Sequence, residues 1–523
     1  MRIIGKMKLL LPVMTLVLMM LCVFAGCRAN EDTDSAADTK AGEEITSFSQ
    51  LEDKRIGVMT GAIQEQQVKE RFPDAEIFYF NSDTDSLNAL RAGKIDAFAT
   101  AEPLLRYMMT ENPDVTYLEE FLSGGMEVGA VFPKNDRGQF LCDQFSEFIR
   151  DIRKNGVYDD IQNTWFGMDE DKRKVDDLYN LKATNGTLTM AADTSFVPFA
   201  YIKDYKPVGI EIDTAVRFCK EYGYGLELVS MDFSGIIPSV VTGKVDFASS
   251  AIAYTPERAE SVLFSEPTYV SHSVIAVLKD TSGPEAGFFT SVSESFQRTF
   301  VKEERWMLFL EGIITTLLIT VFSIFFGTVL GFSVFMLCRK GNYWANAITR
   351  FCIWLVQGMP VVVLLMILYY IIFGATDISG TVVSVVGFTL VFGAGVYGMI
   401  KAGVGAVDRG QLEAAYTLGY TDRYAFFKII LPQALPHFMP AYKGEITSII
   451  KATAVVGYIA VQDLTKMGDI IRSRTYEAFF PLISVAVIYF LLAALLTFFV
   501  NRIELRIDPR LRNPETIRKE VEG

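Results

Sequence analysis

Five apolar stretches after residue 300 constrain the fold of this 523-residue chain more than any other feature of its sequence. Each stretch is near or somewhat short of the ~20 residues that an α-helix needs to cross a bilayer. We therefore expect five membrane spans, the shorter of which extend into flanking polar residues. The stretches are residues 308–337, 361–373, 382–400, 446–461 and 480–500.

The charge of the chain changes where these stretches begin. Residues 28–280 hold 44 acidic and 25 basic side chains, whereas residues 281–523 hold 18 acidic and 21 basic ones. An acidic, hydrated part is thus joined to a weakly basic, hydrophobic part. This division argues against nucleic acid as a partner and keeps the acidic part away from anionic lipid.

The N-terminus has the order of a secretory signal, with basic residues, an apolar run at 9–26 and then Cys27. The string VFAGC resembles the lipoprotein box, which implies that Cys27 is lipidated and becomes the mature N-terminus. An uncleaved signal anchor is the alternative, and both place the following residues outside the cytoplasm. Residues 28–45 are acidic and rich in Ala and Thr, which predicts a flexible tether.

Residues 413–432 read EAAYTLGYTDRYAFFKIILP and lie between two of the apolar stretches. Small and apolar residues in the first part recur at helical spacing, and Gly419 suits the left-handed end of a helix. Pro432 is expected to close the segment before the chain re-enters the membrane. The spacing thus predicts a helix, a glycine break and a second helix between the third and fourth spans.

This pattern resembles the cytoplasmic coupling loop of ABC importer permeases, which docks into a cleft on the ATPase. The resemblance extends from residue 306 to about 508 and is to the polar amino acid group, although Gln357 stands where the family usually has arginine. It implies an ATPase subunit and a second permease copy, identical or paralogous, as partners. The chain has no G-x-x-x-x-G-K-[ST] string, so we expect the partner subunit to use ATP and this chain to bind no cofactor. The implied ATPase-coupling positions are Glu413, Ala414, Ala415, Gly419, Ile429, Leu431 and Pro432.

The charges around the spans predict a topology. With the acidic part outside, the first span runs inward, and the 401–440 loop and the basic C-terminal tail lie in the cytoplasm, as the positive-inside rule expects. The loop before the last span breaks this rule, because it places Lys466, Arg472 and Arg474 outside.

Three polar residues share one face of the fourth predicted span. Glu445, Ser448 and Lys451 recur every three residues, which places them within about 120° of one another around a helix. Charges inside a membrane are costly and usually face a bundle interior or a polar cavity. This face is a candidate lining of the translocation path, and a structural ion pair or a snorkelling helix end is the alternative.

Two parts of the acidic region resemble the two lobes of extracellular solute-binding proteins for polar amino acids. Residues 188–269 contain DTSFVPF, MDFSGIIP, GKVDFA and TPER, in the order of the family's first lobe. Residues 54–167 contain KRIGVMTGAIQEQQ, GKIDAFATAEP and NGVYDDIQNTWFG, which resemble the second lobe and the closing helices. The lobes are thus reversed relative to the family. One circularly permuted clamshell explains both halves, and the alternatives are two truncated domains that pair with a neighbouring chain or a degenerate domain that binds nothing.

The resemblance implies a ligand site in the cleft between the lobes. Arg258 stands where the family arginine grips the ligand carboxylate, a task suited to a planar bidentate donor. Asp193 stands where a carboxylate receives a ligand amide or ammonium. The other implied positions, which cover the ligand or complete the carboxylate site, are Phe196, Phe233, Thr60, Gly61 and Thr100. The alternative for the two phenylalanines is core packing, and the alternative for Arg258 is a surface pair with Glu257 or Glu260.

Two positions depart from the family pattern. Ala101 stands where the family usually has an aspartate for the ligand α-ammonium, and Ala253 stands where it has a threonine before the TPER turn. A buried ammonium without these partners would lose charge-assisted bonds of about 1.5–3 kcal/mol each. The sequence therefore supports carboxylate recognition and predicts weaker dependence on the α-amino group than is usual.

These features together predict a multidomain membrane protein in the cell membrane. An extracytoplasmic α/β two-lobed clamshell of the periplasmic-binding-protein type precedes an all-α transmembrane permease domain of about five helices, with the C-terminus in the cytoplasm. The implied function is the solute-binding and permease subunit of an ATP-driven ABC importer for amino acids or related small polar carboxylates. The alternative is a ligand-gated channel or sensor with a clamshell domain. An enzyme is not expected, because the chain has two histidines and no nucleophile elbow or metal-ligand spacing.

The expected domain boundaries follow from these motifs. They are a signal peptide at 1–27, a tether at 28–45, the second lobe with closing helices at 46–170, a linker at 171–186, the first lobe at 187–280, a linker with an interfacial helix at 281–306, the permease at 307–508 and a tail at 509–523.

Overall fold

The computed structural model describes residues 45–507, apart from 123, 168–171, 176–179, 280–292, 294, 375, 377 and 478. The predicted signal peptide with Cys27 and the predicted cytoplasmic tail lie outside the described residues, as do most of the tether and half of the 281–306 linker. The described chain forms an α/β domain, which ends with the strand Ser273–Leu278, and a helical bundle after it.

Strands and helices of the α/β domain alternate along the chain, as expected for sheets that are covered by helices. The strands are β1 (Arg55–Met59), β2 (Glu76–Phe80), β3 (Ala97–Ala101), β4 (Val115–Tyr117), β5 (Met126–Val128), β6 (Val131–Pro133), β7 (Thr187–Ala192), β8 (Ser195–Phe196), β9 (Ala200–Lys203), β10 (Lys206–Val208), β11 (Gly225–Ser230), β12 (Phe247–Ala248), β13 (Val262–Phe264), β14 (Tyr269–Ser271) and β15 (Ser273–Leu278). The helices are α1 (Ile63–Arg71), α2 (Asp83–Arg91), α3 (Glu102–Glu111), α4 (Asp136–Lys154), α5 (Val157–Phe166), α6 (Ile210–Tyr222), α7 (Phe233–Val241) and α8 (Pro256–Ser261).

Two five-stranded sheets define two lobes. The first sheet has the order β2-β1-β3-β15-β4, and we call its lobe the β1 lobe; it corresponds to the expected second lobe. The other sheet has the order β11-β7-β12-β6-β13 and defines the β7 lobe, which corresponds to the expected first lobe. In both sheets the central strands run parallel, and one inserted strand, β15 or β6, runs antiparallel to its neighbours.

Each sheet takes its inserted strand from the other half of the sequence. β15 follows β13 in the chain but completes the β1 lobe, whereas β6 follows β4 but completes the β7 lobe. The strands β5 and β14, which pair antiparallel, carry the chain between the lobes. The predicted boundaries at 46–170 and 187–280 therefore do not separate the lobes, because long-range strand pairing interleaves the two halves.

The closing helices pack on the β7 lobe. The ring of Phe145 in α4 lies 5.0 Å from the ring of Phe218 in α6, centroid to centroid. The indole Nε1 of Trp165 in α5 donates a hydrogen bond of 3.0 Å to the carboxylate of Asp213, also in α6. α4 and α5, which the sequence grouped with the β1 lobe, thus belong to the core of the other lobe.

The helical bundle contains three helices that are long and apolar enough to cross a membrane, Trp306–Cys338, Gly380–Gly405 and Phe479–Leu505. They coincide with the first, third and fifth predicted spans. Up to five spans result if each of two bent helix pairs is one span. The bundle helices are α9 (Trp306–Cys338), α10 (Tyr343–Gln357), α11 (Val361–Met366), α12 (Gly380–Gly405), α13 (Arg409–Thr417), α14 (Asp422–Ala425), α15 (Leu431–Ala452), α16 (Leu464–Thr475) and α17 (Phe479–Ile507).

The second and fourth predicted spans belong to the bent pairs. The 361–373 stretch is one arm of the pair Tyr343–Gln357 and Val361–Ile372, which bends by 107°. Pro360 lies at this break, where it disfavours helical geometry in the residue before it. The 446–461 stretch lies in the pair Asp422–Ile459 and Leu464–Thr475, which bends by 58°. The predicted bounds missed the other arms because those arms contain charged residues.

Glycines allow α9 and α12 to pack closely. A Cβ added to Gly331 would lie 2.6 Å from the carbonyl oxygen of Gly393 and 2.8 Å from Cβ of Val396. Small residues of this kind let membrane helices approach each other. On α12 itself, a Cβ added to Gly398 would meet nothing within 4 Å.

We predict that Gly331→Ala lowers the melting temperature of the detergent-solubilised protein. Alanine favours a helix over glycine by about 1 kcal/mol, so only the clash with Gly393 can make this substitution destabilising. Gly398→Ala is the matched control and should leave the melting temperature unchanged or raise it. Equal melting temperatures for the two variants would contradict the close packing.

Candidate functional site

A cleft with an empty volume of about 530 Å³ lies between the two lobes. The residues of interest that line it are Asp83, Thr100 and Ala101 from the β1 lobe and Phe196, Phe233, Ala253 and Arg258 from the β7 lobe. The structure therefore brings four of the seven predicted ligand residues to one cleft.

Arg258 reaches across this cleft from the short helix α8. The side chain of Thr255 caps α8 by accepting a hydrogen bond of 3.2 Å from the amide of Arg258. The guanidinium donates to the carbonyl oxygens of Ala253 and of Gly61, each at 2.9 Å, and lies 5.9 Å from the ring centroid of Phe233. Because Gly61 belongs to the β1 lobe, Arg258 connects the two lobes at the cleft.

The predicted carboxylate loop is only partly directed at the cleft. Gly61 has the positive φ of +76° that the turn requires, and its carbonyl faces Arg258. Thr60, in contrast, is exposed, and its hydroxyl donates to the carbonyl of Phe80 at 3.1 Å. The Thr60 side chain is thus engaged with its own lobe.

A carboxylate that the sequence did not single out lines the same cleft. Asp83 is 8% exposed at the first turn of α2, and its carboxylate accepts a hydrogen bond from Thr100, which is 2% exposed. Burial raises the pKa of Asp83 to about 6, and the bonds from Thr100 and from its own amide only partly oppose this effect. The surrounding string NSDTDS reads as an ordinary helix start, so no sequence signal marked Asp83.

Asp193 lies beside the cleft and already has several partners. Its carboxylate accepts hydrogen bonds from the amide and hydroxyl of Ser195 at 3.0 and 2.6 Å and from the amide of Phe233 at 3.2 Å. It also faces Nζ of Lys466 in α16 at 3.5 Å, and the same Nζ lies 2.5 Å from the carboxylate of Asp232. The residue that the resemblance assigns to the ligand is therefore also bound by the bundle.

The other two cations of α16 contact the α/β domain as well. Arg472 pairs with the carboxylate of Asp85 in the β1 lobe. Arg474 donates to the hydroxyl of Tyr107, and its guanidinium lies 4.9 Å from the ring centroid of Tyr201 in the β7 lobe. In the predicted topology these are the three cations that break the positive-inside rule, and all three contact the α/β domain. The exception to the rule was the sequence signal for this surface.

The predicted coupling segment has the helix–glycine–helix form. α13 contains Glu413 and the two alanines, Gly419 has a φ of +80°, and α14 follows. The carboxylate of Asp422 in α14 pairs with Arg339 at the end of α9 at 2.7 Å, which fixes the segment to the bundle. Pro432 differs from the prediction, because it lies inside the continuous helical run Asp422–Ile459 and so does not close the segment.

The three polar residues of the fourth predicted span lie in different surroundings. Glu445 lines a cavity with an empty volume of about 1550 Å³, together with Arg350 of α10. Ser448 and Lys451 are exposed and do not line this cavity. A spacing of three residues drifts around a helix of 3.6 residues per turn, which separates Lys451 from Glu445.

The geometry thus defines a membrane protein whose two-lobed α/β clamshell contacts its own helical bundle. Residues 188–447 match the family of bacterial extracellular solute-binding proteins, family 3. The chain is 32% identical over 203 residues to a putative glutamine transport system permease protein of Rickettsia bellii, and this match covers 38% of the chain and 93% of the relative. It is 33% identical over 207 residues to an arginine transport system permease protein of Bacillus subtilis, covering 38% of the chain and 91% of the relative. A crystal structure of an amino acid ABC transporter with histidines aligns with a TM-score of 0.37 at 29% identity, covering 43% of this chain and all of that chain.

The chain belongs to the permeases of the amino acid ABC transporters, and it carries a solute-binding domain of family 3 fused to the permease. It is a multi-pass membrane protein with a role in import.

We predict that Asp83→Asn stabilises the protein at neutral pH. A carboxyl group whose pKa is raised on folding contributes stability below its unfolded pKa, and that contribution is lost as the pH rises through the folded pKa of about 6. The variant avoids this loss, so its advantage should be near zero at pH 4 and should grow to on the order of 2–3 kcal/mol above pH 7. Thermal unfolding of both proteins between pH 4 and 8 measures the difference, and an advantage that does not change with pH would contradict it.

Proposed function

We propose that this chain is the combined receptor and membrane subunit of an ATP-driven importer for an amino acid or a related small polar carboxylate. The observation that carries the proposal is the contact of α16 with both lobes, through Lys466 on the β7 lobe and Arg472 on the β1 lobe. A receptor held on its permease by both lobes can pass a ligand to the bundle without a diffusional search, since tethering supplies an effective concentration of up to ~mM.

In this proposal the clamshell is a circularly permuted member of its family and lies outside the cell. The coupling segment and the C-terminus lie in the cytoplasm. The interleaved strands support one clamshell over two truncated domains, because each lobe completes its sheet with a strand from the other half of the same chain.

A separate ATPase would dock on the coupling segment. Its apex presents Leu418, which is 73% exposed, next to the exposed and stacked rings of Tyr420 and Tyr424. Exposed apolar surface of this kind, fixed to the bundle by Asp422, suits a protein partner. One helical run, Asp422–Ile459, leads from this segment to the 58° bend before α16, so a displacement at the ATPase has a covalent route to the lobes. A second permease copy, identical or paralogous, would complete the transporter.

We predict that Glu413→Lys and Gly419→Asp abolish ATP-dependent uptake and leave ligand binding unchanged. Reconstituted vesicles that contain the ATPase measure uptake, and equilibrium binding to the same preparations measures the receptor. Gly341→Asp is the matched control, because Gly341 also has a positive φ, of +75°, and open space around an added Cβ, but lies outside the coupling segment. Wild-type uptake by either coupling variant would contradict the assignment.

We predict that Lys466→Gln reduces uptake at least tenfold while the receptor still binds ligand. The change leaves the carboxylates of Asp193 and Asp232 without the buried lysine, and loss of one partner of a buried pair costs about 3–5 kcal/mol. Lys182→Gln, at an exposed lysine of the α/β domain, is the control and should transport normally. Normal uptake by Lys466→Gln would show that transfer does not depend on this contact.

A further inference from the structure

The cleft contains one cation and one anion on opposite walls. Arg258 and Asp83 are the only charged side chains among the described residues that line it. Arg258 comes from the β7 lobe and Asp83 from the β1 lobe. The aromatic rings of Phe196 and Phe233 lie in the same lining. A small molecule with a carboxylate at one end and an ammonium at the other complements this arrangement of charge.

The other acidic residues near the cleft are engaged elsewhere. Glu102 forms an ion pair with Arg106 at 2.7 Å and lies 3.4 Å from Nδ1 of His272. Asp193 is bound by Ser195, by an amide and by Lys466. Neither carboxylate lines the cleft, whereas the carboxylate of Asp83 does.

The carboxylate of Asp83 can accept a ligand cation, because no cationic side chain forms one of the described ion pairs with it. Its partners among the described residues are the hydroxyl of Thr100 and its own backbone amide, and none of the described ion pairs includes it. A carboxylate buried with only neutral donors is held at a cost in free energy. A ligand ammonium that enters the cleft would offset this cost.

We propose that Asp83, positioned by Thr100, binds the α-ammonium group of a zwitterionic amino acid whose carboxylate is bound by Arg258. This inference rests on the proposed importer function and deepens it, because it names the group that replaces the aspartate missing at Ala101. It also differs from the expectation from sequence that binding depends less on the α-amino group than is usual. Recognition of the ammonium is retained, but from the first turn of α2.

The test compares an amino acid with an analogue that lacks only the ammonium. The full-length protein in detergent is titrated by calorimetry with L-glutamine and with 4-carbamoylbutanoate, and with L-arginine and 5-guanidinopentanoate as a second pair. We expect the wild type to prefer the amino acid of the bound pair by about 10- to 100-fold, which is the range of a charge-assisted hydrogen bond. Asp83→Asn should bring the preference close to one.

Two further variants separate a binding role from a structural one. Retained binding of 4-carbamoylbutanoate or 5-guanidinopentanoate by Asp83→Asn would show that the cleft still folds, and Asp83→Asn combined with Ala101→Asp should restore the preference for the ammonium. If Asp83→Asn keeps the wild-type preference while Arg258→Ala abolishes binding, this inference is wrong and the importer function stands. If the wild type binds neither amino acid and also none of the other proteinogenic amino acids, both are overturned.

Discussion

The contact between α16 and the acidic clamshell is the interaction on which the remaining structure depends. Lys466 is 5% exposed and is enclosed between two carboxylates of the β7 lobe, while Arg472 and Arg474 reach the β1 lobe. Cations buried in this way are stable only with partners that compensate their charge. The acidic domain therefore supplies counter-charges for Lys466 and Arg472, whereas the carboxylate that pairs with Arg474 is that of Glu303, outside this domain. The acidic residues of this domain that pair with α16 thus have a structural role.

The interleaved sheets have a consequence for the cleft. Because β15 and β6 exchange between the halves of the sequence, neither lobe can complete its sheet before both halves are made. The two walls of the cleft, with Arg258 on one and Asp83 on the other, are thus connected by the exchanged strands as well as by the hydrogen bond of Arg258 to Gly61. The separate pair of strands β5 and β14 also connects the lobes and is suited to act as the hinge of a clamshell.

Much of this architecture could be predicted from local sequence. The long apolar stretches predicted three of the spans, and the EAA pattern with Gly419 predicted the helix–glycine–helix segment. Both signals are local, because hydrophobic periodicity and a glycine at a helix end involve only residues close together in the sequence. The family motifs brought Arg258, Phe196, Phe233 and Thr100 to one cleft. The bent pair at Pro360 was half recognised, since its first arm is amphipathic.

The remainder depends on contacts between residues far apart in sequence. Asp83 lies in an ordinary helix start, and only the fold shows that it lines the same cleft as Arg258. The exchange of β6 and β15 is decided by strand pairing over more than a hundred residues. The pairing of Lys466 with Asp193 and Asp232 could not be predicted from the lysine alone, although in the predicted topology this lysine was an exception to the positive-inside rule.

Zero-length carbodiimide cross-linking of the full-length protein, read by mass spectrometry, tests the central claim most directly. Nζ of Lys466 lies 2.5 Å from the carboxylate of Asp232, so an amide between these two side chains should form without any added spacer. Acetylation of the same preparation should modify the exposed Lys182 and spare Lys466. Rapid acetylation of Lys466 together with no cross-link to Asp232 or Asp193 would contradict a clamshell held on the permease by α16.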